Sequence, residues 1–176
     1  MNWGESRPVR VVPLTFETDA RAGDGMRNEV AGSCLAPAAE FPPFVMATDE
    51  DPYHGGARSA PPPQAFFITG LVTCFLTQMR AFAPARGVLL DHIAVRACVE
   101  WEAHLDGSGP CVAHGRAITL DMEIDSPADL EKLRDLVRVT SRACYVEALL
   151  ALPVRHGLWR GDDWIEMDEP RGELAS

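Results

Sequence analysis

The segment PPPQAFFITGLVTCFLTQMRAFAP, residues 61–84, decides the fold of this chain. It predicts a helix from about Pro63 to Ala83, which Pro84 ends because proline cannot continue a helix. Apolar side chains cover most of the circumference of this helix, a pattern typical of a helix buried inside a protein. They are Phe66, Phe67, Ile68, Leu71, Val72, Phe75, Leu76, Met79 and Phe82. One thiol, Cys74, occupies the middle of the helix.

A second helix is predicted where SPADLEKLRDLVRVTSRAC begins. Ser126 suits the N-cap, Pro127 the first helical position and Asp129 the capping box. Residues that recur at steps of three and four predict one buried stripe: Leu130, Leu133, Leu136, Val137, Thr140 and Cys144. Each helix therefore carries an inward thiol, and two helices packed on one sheet could bring Cys74 and Cys144 together.

These two thiols allow two interpretations. A free cysteine often packs as a small hydrophobe, whereas a reactive one needs a nearby positive charge, because burial alone makes a thiol inert. The candidate cations are Arg21, Arg27, Arg58 and Arg80. The other three cysteines are interpreted as incidental: Cys34 near a turn, Cys98 on the polar face of a strand and Cys111 after a turn.

Between the helices, alternating apolar and polar residues predict a long hairpin with one solvent-facing side. Its strands start at His92 and Ala117, with a turn at 106–110. The remaining segments predict, in order, an edge or irregular strand over 9–18, a turn over 20–25, a second strand over 26–32, a short strand from Phe44, a loop over 50–63 and a terminal strand or partner-facing arm over 157–170.

The composition is that of an ordinary globular protein, with 47% hydrophobic and 24% charged residues. A net charge of −10 argues against a nucleic-acid partner, because binding phosphates requires positive charge. The N-terminus lacks the apolar region of a signal peptide, and the longest apolar run, Ala65 to Met79, is interrupted by Thr, Gly and Gln. We therefore expect a cytoplasmic protein with no membrane partner, whose odd number of cysteines stays reduced.

Motifs for metals and nucleotides are weak. Cys111 and His114 form a lone C-x-x-H without a second half at zinc-finger spacing. The sequence has no GxGxxG and no serine nucleophile elbow. We therefore expect no bound metal.

Two stretches resemble the OsmC/Ohr family, the osmotically induced and organic hydroperoxide resistance proteins, over most of the chain from about Phe44. DEDPYHGGARSAPPPQAFFITGLVTCF is similar to the acidic loop, Gly-Gly pair and proline-rich lead into the first central helix of that family. SPADLEKLRDLVRVTSRACYVEALLALPV is similar to its second central helix. The resemblance implies an α+β fold with two buried central helices packed against bent antiparallel sheets, built as an intertwined homodimer. It implies a single domain over 1–176, with a β part at about 1–60 and a helix-hairpin-helix part at about 61–176.

The activity that the resemblance implies is that of a thiol peroxidase acting on organic hydroperoxides. Cys74 matches the peroxidatic position, at which a thiolate attacks the peroxide and becomes a sulfenic acid. Cys144 matches the resolving position, which closes a disulfide with Cys74. An external dithiol reductant, often a lipoyl group in relatives, reopens that disulfide. The resemblance implies no bound metal, flavin or haem.

The resemblance also suggests positions around the reactive thiol. In the hydroperoxide-resistance branch, an Arg from an early turn pairs with the thiolate, and a Glu ten residues before the first Cys holds that Arg. Arg21, in ARAGDG, is the candidate for the Arg. Gln64 occupies the Glu position and carries no charge, and Tyr145 follows the second Cys where Pro is usual. Two alternatives stay open: a non-peroxidase dimer that binds a small apolar ligand, and a thiol redox sensor that acts through a partner.

Overall fold

The computed structural model describes residues 11–36, 41–105, 111–150 and 154–167. Over these residues the chain forms two α-helices and seven β-strands, so the fold is α+β as predicted. The chain divides into two compact units, with the boundary between Phe67 and Ile68. The predicted turn at 106–110 and the end of the predicted arm, 168–170, lie outside the described residues.

The first unit holds a three-stranded antiparallel sheet in the order β1-β2-β3. Its strands are β1 (Thr15–Ala22), β2 (Asn28–Ala36) and β3 (Phe44–Thr48). The strands predicted from 26 and from Phe44 are confirmed. The first strand starts at Thr15, later than predicted, since residues 11–14 are not in a strand and residues 9–10 lie outside the described residues. Two further details are wrong. The turn is shorter than predicted because residues 20–22 pair with β2, and Cys34 lies within β2, opposite Phe16, rather than near a turn.

The second unit contains most of α1 (Pro63–Phe82) and a four-stranded sheet in the order β4-β5-β6-β7. The strands are β4 (His92–His104), β5 (Val112–Asp125), β6 (Val154–Arg160) and β7 (Asp163–Glu166). The helix α2 (Leu130–Ala143) connects β5 to β6, which run parallel. This crossover is needed because two parallel strands cannot be joined by a tight turn. The predicted terminal strand is therefore a hairpin of two strands.

The alternation predicted for the hairpin between the helices is confirmed. In β5, Ile118, Leu120 and Met122 are buried on one face. In β4, the residues from Ile93 to Val99 alternate between partly buried and exposed. A bulge between Glu100 and Trp101 shifts the register, and beyond it the strand is exposed on both faces.

The start of α2 differs from the prediction. The N-cap is Asp129, whose carboxylate accepts a hydrogen bond from the Lys132 N–H at 2.8 Å. Ser126 instead accepts a hydrogen bond from the Ala128 N–H, at 3.1 Å, within a turn before the helix. Both Ser and Asp satisfy helix N-termini well. Asp129 is the cap here because its own backbone is extended while that of the next residue, Leu130, is already helical.

The helix α1 contributes one stripe of fully buried residues, Leu71, Phe75 and Met79, to the core. This stripe shares the core of the second unit with β5, α2 and β6, through residues that include Leu120, Leu136 and Leu158. The other apolar faces of α1 are only partly covered, and Phe67 is 37% exposed. The described part of the chain therefore does not bury α1 on all sides.

The length and composition of α1 also bear on the membrane expectation. By length and composition alone, α1 passes the test for a membrane-spanning helix, with a mean hydropathy of 1.4. The core helix of a soluble protein passes the same test, and the expectation of no membrane partner stays a prediction.

Candidate functional site

The first candidate thiol, Cys74, lies at the middle of α1, directly before the buried Phe75. Its side chain is partly buried and packs against the core of the second unit. Because it adjoins the buried stripe rather than lying in it, the sulfur combines an apolar environment with partial access.

The second candidate thiol, Cys144, lies at the C-cap of α2 rather than on its last helical turn. Its N–H donates to the Ser141 carbonyl at 3.3 Å, and its carbonyl accepts from the Ala148 N–H at 3.0 Å. These bonds fix the chain where it leaves the helix. The side chain still points inward, as predicted, and is fully buried.

The two thiols interact directly. Burial raises the pKa of the Cys144 thiol to about 12, and the Glu147 N–H, which donates to this sulfur, partly offsets the increase. A hydrogen bond with Cys74 and the negative charges of Cys74 and Glu147 raise this pKa further. At neutral pH, Cys144 is therefore a protonated thiol that can donate its hydrogen bond to a Cys74 thiolate.

Sequence reasoning missed two buried ionisable residues beside this pair. The Glu147 side chain is 7% exposed and that of His156 is 1% exposed, and His156 Nε2 lies 3.3 Å from Glu147 Oε1. The His156 ring also stacks on Phe75, with the centroids 5.1 Å apart. A single acidic residue within YVEALLALP was the available signal, since a carboxylate is rarely buried unless it is paired. His156 carried no comparable signal.

The four candidate cations have different environments. Arg21 is exposed on β1, opposite Glu29, in a different unit from Cys74. Arg27 binds Glu29 at 2.6 Å and the Ser59 hydroxyl at 2.9 Å. The other two are Arg58, which has a φ of 55°, and Arg80, which is exposed in the last turn of α1. The role predicted for Arg21 stays a prediction.

Gln64 is exposed in the first turn of α1. It precedes Cys74 by ten residues on the same helix, which corresponds to a rise of about 15 Å. A side chain at that distance cannot touch the sulfur. A hydrogen bond from Gln64 can therefore act on Cys74 only through a third residue.

The acidic loop between β3 and α1 is organised by Asp49, which sequence reasoning did not single out. Its buried carboxylate accepts from the N–H groups of Glu50 and Ala57 and from both the N–H and hydroxyl of Ser59. The hydrogen bonds from Ser59 lower the pKa of Asp49 from 3.8 to about 2. The loop also requires Gly56, because a Cβ there would lie 2.0 Å from the Glu50 carbonyl oxygen.

No group of three or more His, Cys, Asp and Glu side chains suited to a metal ion occurs among the described residues. Cys98 and Cys111 are exposed, and Cys144 is buried. The chemistry available in the second unit is therefore that of a thiol pair beside a buried acid and imidazole.

Two helices and two sheets, with a thiol on one helix and another at the end of the second, define an α+β protein with a paired-thiol centre. The chain belongs to the family of OsmC-like proteins, whose model matches residues 55–158. No curated protein matches the chain in sequence.

Solved structures show the same fold. An OsmC-like hydroperoxide resistance protein from Jannaschia sp. CCS1 is 32% identical, with a TM-score of 0.50 over 87% of this chain and 97% of that one. An OsmC-like protein from Mycoplasma pneumoniae is 16% identical, with a TM-score of 0.59 over 84% and 96%. An organic hydroperoxide resistance protein from Legionella pneumophila is 17% identical, with a TM-score of 0.59 over 82% and 94%.

Proposed function

We propose that this protein is a thiol peroxidase that reduces organic hydroperoxides through Cys74 and Cys144. The observation that carries the proposal is the contact between a partly exposed thiol and a fully buried, protonated one. The name of the Jannaschia relative, a hydroperoxide resistance protein, supports the same class of substrate.

In the first step, the Cys74 thiolate attacks the distal oxygen of the hydroperoxide. A sulfur–oxygen bond forms, the O–O bond breaks, and the alkoxide takes a proton to leave as an alcohol. Cys74 is oxidised to a sulfenic acid. Cys144 supports this step as a hydrogen-bond donor, because its raised pKa keeps it protonated.

In the second step, the sulfur of Cys144 attacks the sulfenic sulfur of Cys74. A disulfide forms, and the sulfenic oxygen leaves as water after taking up a proton. The position of Cys144, buried and in hydrogen-bond contact with Cys74, supports an internal partner for Cys74.

An external dithiol then reduces the disulfide by two successive exchanges and is itself oxidised to a disulfide. A lipoyl-type dithiol meets this requirement. The electrons come from that dithiol, so the cycle needs no bound metal, flavin or haem. We assign this chemistry to the cytoplasm, where such reductants keep thiols reduced.

Two further positions belong to the proposed site. Arg21 would supply the positive charge that stabilises the attacking thiolate. Gln64 would orient that guanidinium by a hydrogen bond from a neutral side chain, which is weaker than an ion pair. Sequence resemblance supports both roles.

We further propose that the protein works as a homodimer. Large apolar side chains are exposed in both units, and they include Phe16, Val45, Phe67, Leu89 and Trp101. A second copy would cover them, and an obligate interface of this kind buries more than about 2,000 Å² in total. Light scattering should give the mass of a dimer, and a folded monomer at low micromolar concentration would contradict this assembly.

The function is tested by following the consumption of cumene hydroperoxide with dihydrolipoamide as the reductant. Cys74→Ser should abolish turnover, because an alcohol forms no comparable nucleophilic anion at neutral pH. The matched control is Cys98→Ser, which changes an exposed thiol on β4 and should leave the rate unchanged. Stable oxidation without turnover would identify a redox sensor instead. No oxidation of Cys74 at all would favour the binding of an apolar ligand.

A further inference from the structure

The buried Glu147 lies where the proposed cycle needs a proton acceptor and has none assigned. Its Oε1 accepts a hydrogen bond from the Ser141 hydroxyl and faces His156 Nε2 at 3.3 Å. Its Oε2 is buried and has no hydrogen-bond partner within the described part of the chain. A carboxylate is costly to bury without full compensation, and this oxygen is left open to accept a hydrogen bond.

Glu147 is tied to the resolving thiol by the backbone. Its N–H donates to the Cys144 sulfur, and the short 3₁₀ turn Glu147–Leu149 starts three residues after that thiol. The carboxylate is also close enough for its charge to act on the thiol. His156 reaches the same carboxylate from β6 and stacks on Phe75, the neighbour of Cys74. The acid, the imidazole and the two thiols therefore form one cluster, in which Cys74 is partly buried and the other three side chains are buried.

We infer that the Glu147–His156 pair accepts the proton of the Cys144 thiol as that thiol attacks oxidised Cys74. The inference rests on the proposed function, for which it supplies the missing base of the second step. As the Cys144 S–H bond breaks, the proton passes to the pair and the new S–S bond forms with Cys74. The oxygen that leaves Cys74 takes a proton and departs as water, and the pair returns to its starting state when it supplies that proton.

The need for such a base follows from the burial of Cys144. A thiol with a pKa of about 12 is almost never a thiolate at neutral pH, so its unassisted attack would be slow. The ionisable groups that face this thiol are Cys74 from α1, Glu147 from the turn after α2 and, behind Glu147, His156 from β6. Of these, Glu147 and His156 are available as acceptors while Cys74 carries the electrophilic sulfur.

The inference is tested without any hydroperoxide. In protein whose Cys34, Cys98 and Cys111 are replaced by Ser, methyl methanethiosulfonate converts Cys74 to a methyl disulfide. Cys144 then attacks the Cys74 sulfur and expels methanethiol, and acid quenching followed by mass spectrometry gives the closure rate. Because this reaction reports only on Cys144, its result is independent of whether the protein reduces peroxides.

The pH dependence of closure in this otherwise unmodified protein decides the question. With the pair as the base, the rate should rise and then level off once the pair is deprotonated. Without it, the rate should keep rising about tenfold per pH unit towards the pKa of the thiol, and that profile would overturn the inference.

Variants sharpen the result. Glu147→Gln and His156→Gln should each slow closure by about tenfold or more and remove the levelling off. Glu131→Gln is the matched control, because this carboxylate is 80% exposed on α2 and pairs with Arg134; it should leave closure unchanged. A folded Glu147→Gln protein that closes at the control rate would also overturn the inference.

Discussion

Two buried carboxylates, one in each unit, show how differently the same group can be used. Asp49 is surrounded by donors: two backbone N–H groups from Ala57 and Ser59, a third from Glu50, and the Ser59 hydroxyl. Glu147 has one hydroxyl donor and a histidine on one oxygen, and no hydrogen bond to the other among the described residues. Within the described part of the chain, both oxygens of Asp49 accept hydrogen bonds, whereas one oxygen of Glu147 accepts none.

This difference in hydrogen bonding suggests a structural role for Asp49 and a chemical role for Glu147. A carboxylate that accepts several backbone hydrogen bonds is held as an anion, and the lowered pKa of Asp49, caused first by its bonds with Ser59, follows from that. Such a group fixes a loop and has little tendency to take up a proton. Burying a carboxylate with an unpartnered oxygen, as at Glu147, costs folding free energy. That cost is the reason for assigning Glu147 a role in proton transfer.

The largest effect expected outside Cys74 itself is that of Cys144→Ser. Steady-state turnover should fall by about a hundredfold or more, because no internal thiol remains to close the disulfide. A single oxidation of Cys74, followed by rapid mixing and trapping of the sulfenic acid, should proceed within a few-fold of the original rate. Normal turnover of Cys144→Ser with the dithiol would show that Cys144 is not the resolving thiol. Glu147 would then have no role as its base.

Asp49→Asn tests whether the other carboxylate is purely structural. It removes the charge that orders the acidic loop, so thermal unfolding should occur several degrees lower at neutral pH. Closure of the methyl disulfide by Cys144 should be unchanged, whereas Glu147→Gln should slow it. A slower closure in Asp49→Asn, with the protein still folded, would mean that the two carboxylates are not functionally separate.

The stabilising effect of Asp49 should depend on pH in a definite direction. The pKa of Asp49 lies at about 2 in the folded chain and near 3.8 when unperturbed. Its contribution is therefore present above about pH 4 and is lost as the pH falls through about 2. Between those values, the melting temperature of Asp49→Asn should fall less steeply than that of the original protein. Equal slopes would show that the loop hydrogen bonds do not depend on the charge.

The sequence predicted the parts of the molecule that depend on local patterns. Apolar periodicity located α1, α2 and the β4–β5 hairpin, and the inward direction of Cys74 and Cys144 followed from their positions on apolar faces. The cap of α2 was misplaced because Ser126 and Asp129 both fit an N-terminus, and only the backbone conformation selects between them.

The buried acid and imidazole could not be predicted in the same way. Glu147 and His156 lie in different elements and meet only because β6 runs parallel to β5 after the α2 crossover. Asp49 was equally hidden, since its partners are mostly backbone N–H groups, which no side-chain pattern reveals. The side-chain motifs indicated the family and the thiols, whereas the environments of the carboxylates depend on tertiary structure.

The smallest effects expected are those of the two predicted residues that act on Cys74 from a distance. Arg21→Ala should slow the first oxidation of Cys74, because the attacking thiolate loses its cation. Arg134→Ala, which changes a partly exposed Arg on α2, should not. Gln64→Glu should speed the same step by a few-fold, since an exposed ion pair contributes about 0.2–1 kcal/mol.

The sign of the Gln64→Glu effect reports whether the arginine is present. With Arg21 in place, the new carboxylate anchors the guanidinium; in an Arg21→Ala background it would only add negative charge, which disfavours a thiolate. The double variant should therefore be no faster than Arg21→Ala alone, and rapid-mixing measurements of Cys74 oxidation in the four proteins give the coupling directly. Equal effects of Gln64→Glu in both backgrounds would show that Arg21 and Gln64 do not act together, and would leave the charge at Cys74 to another of the candidate arginines.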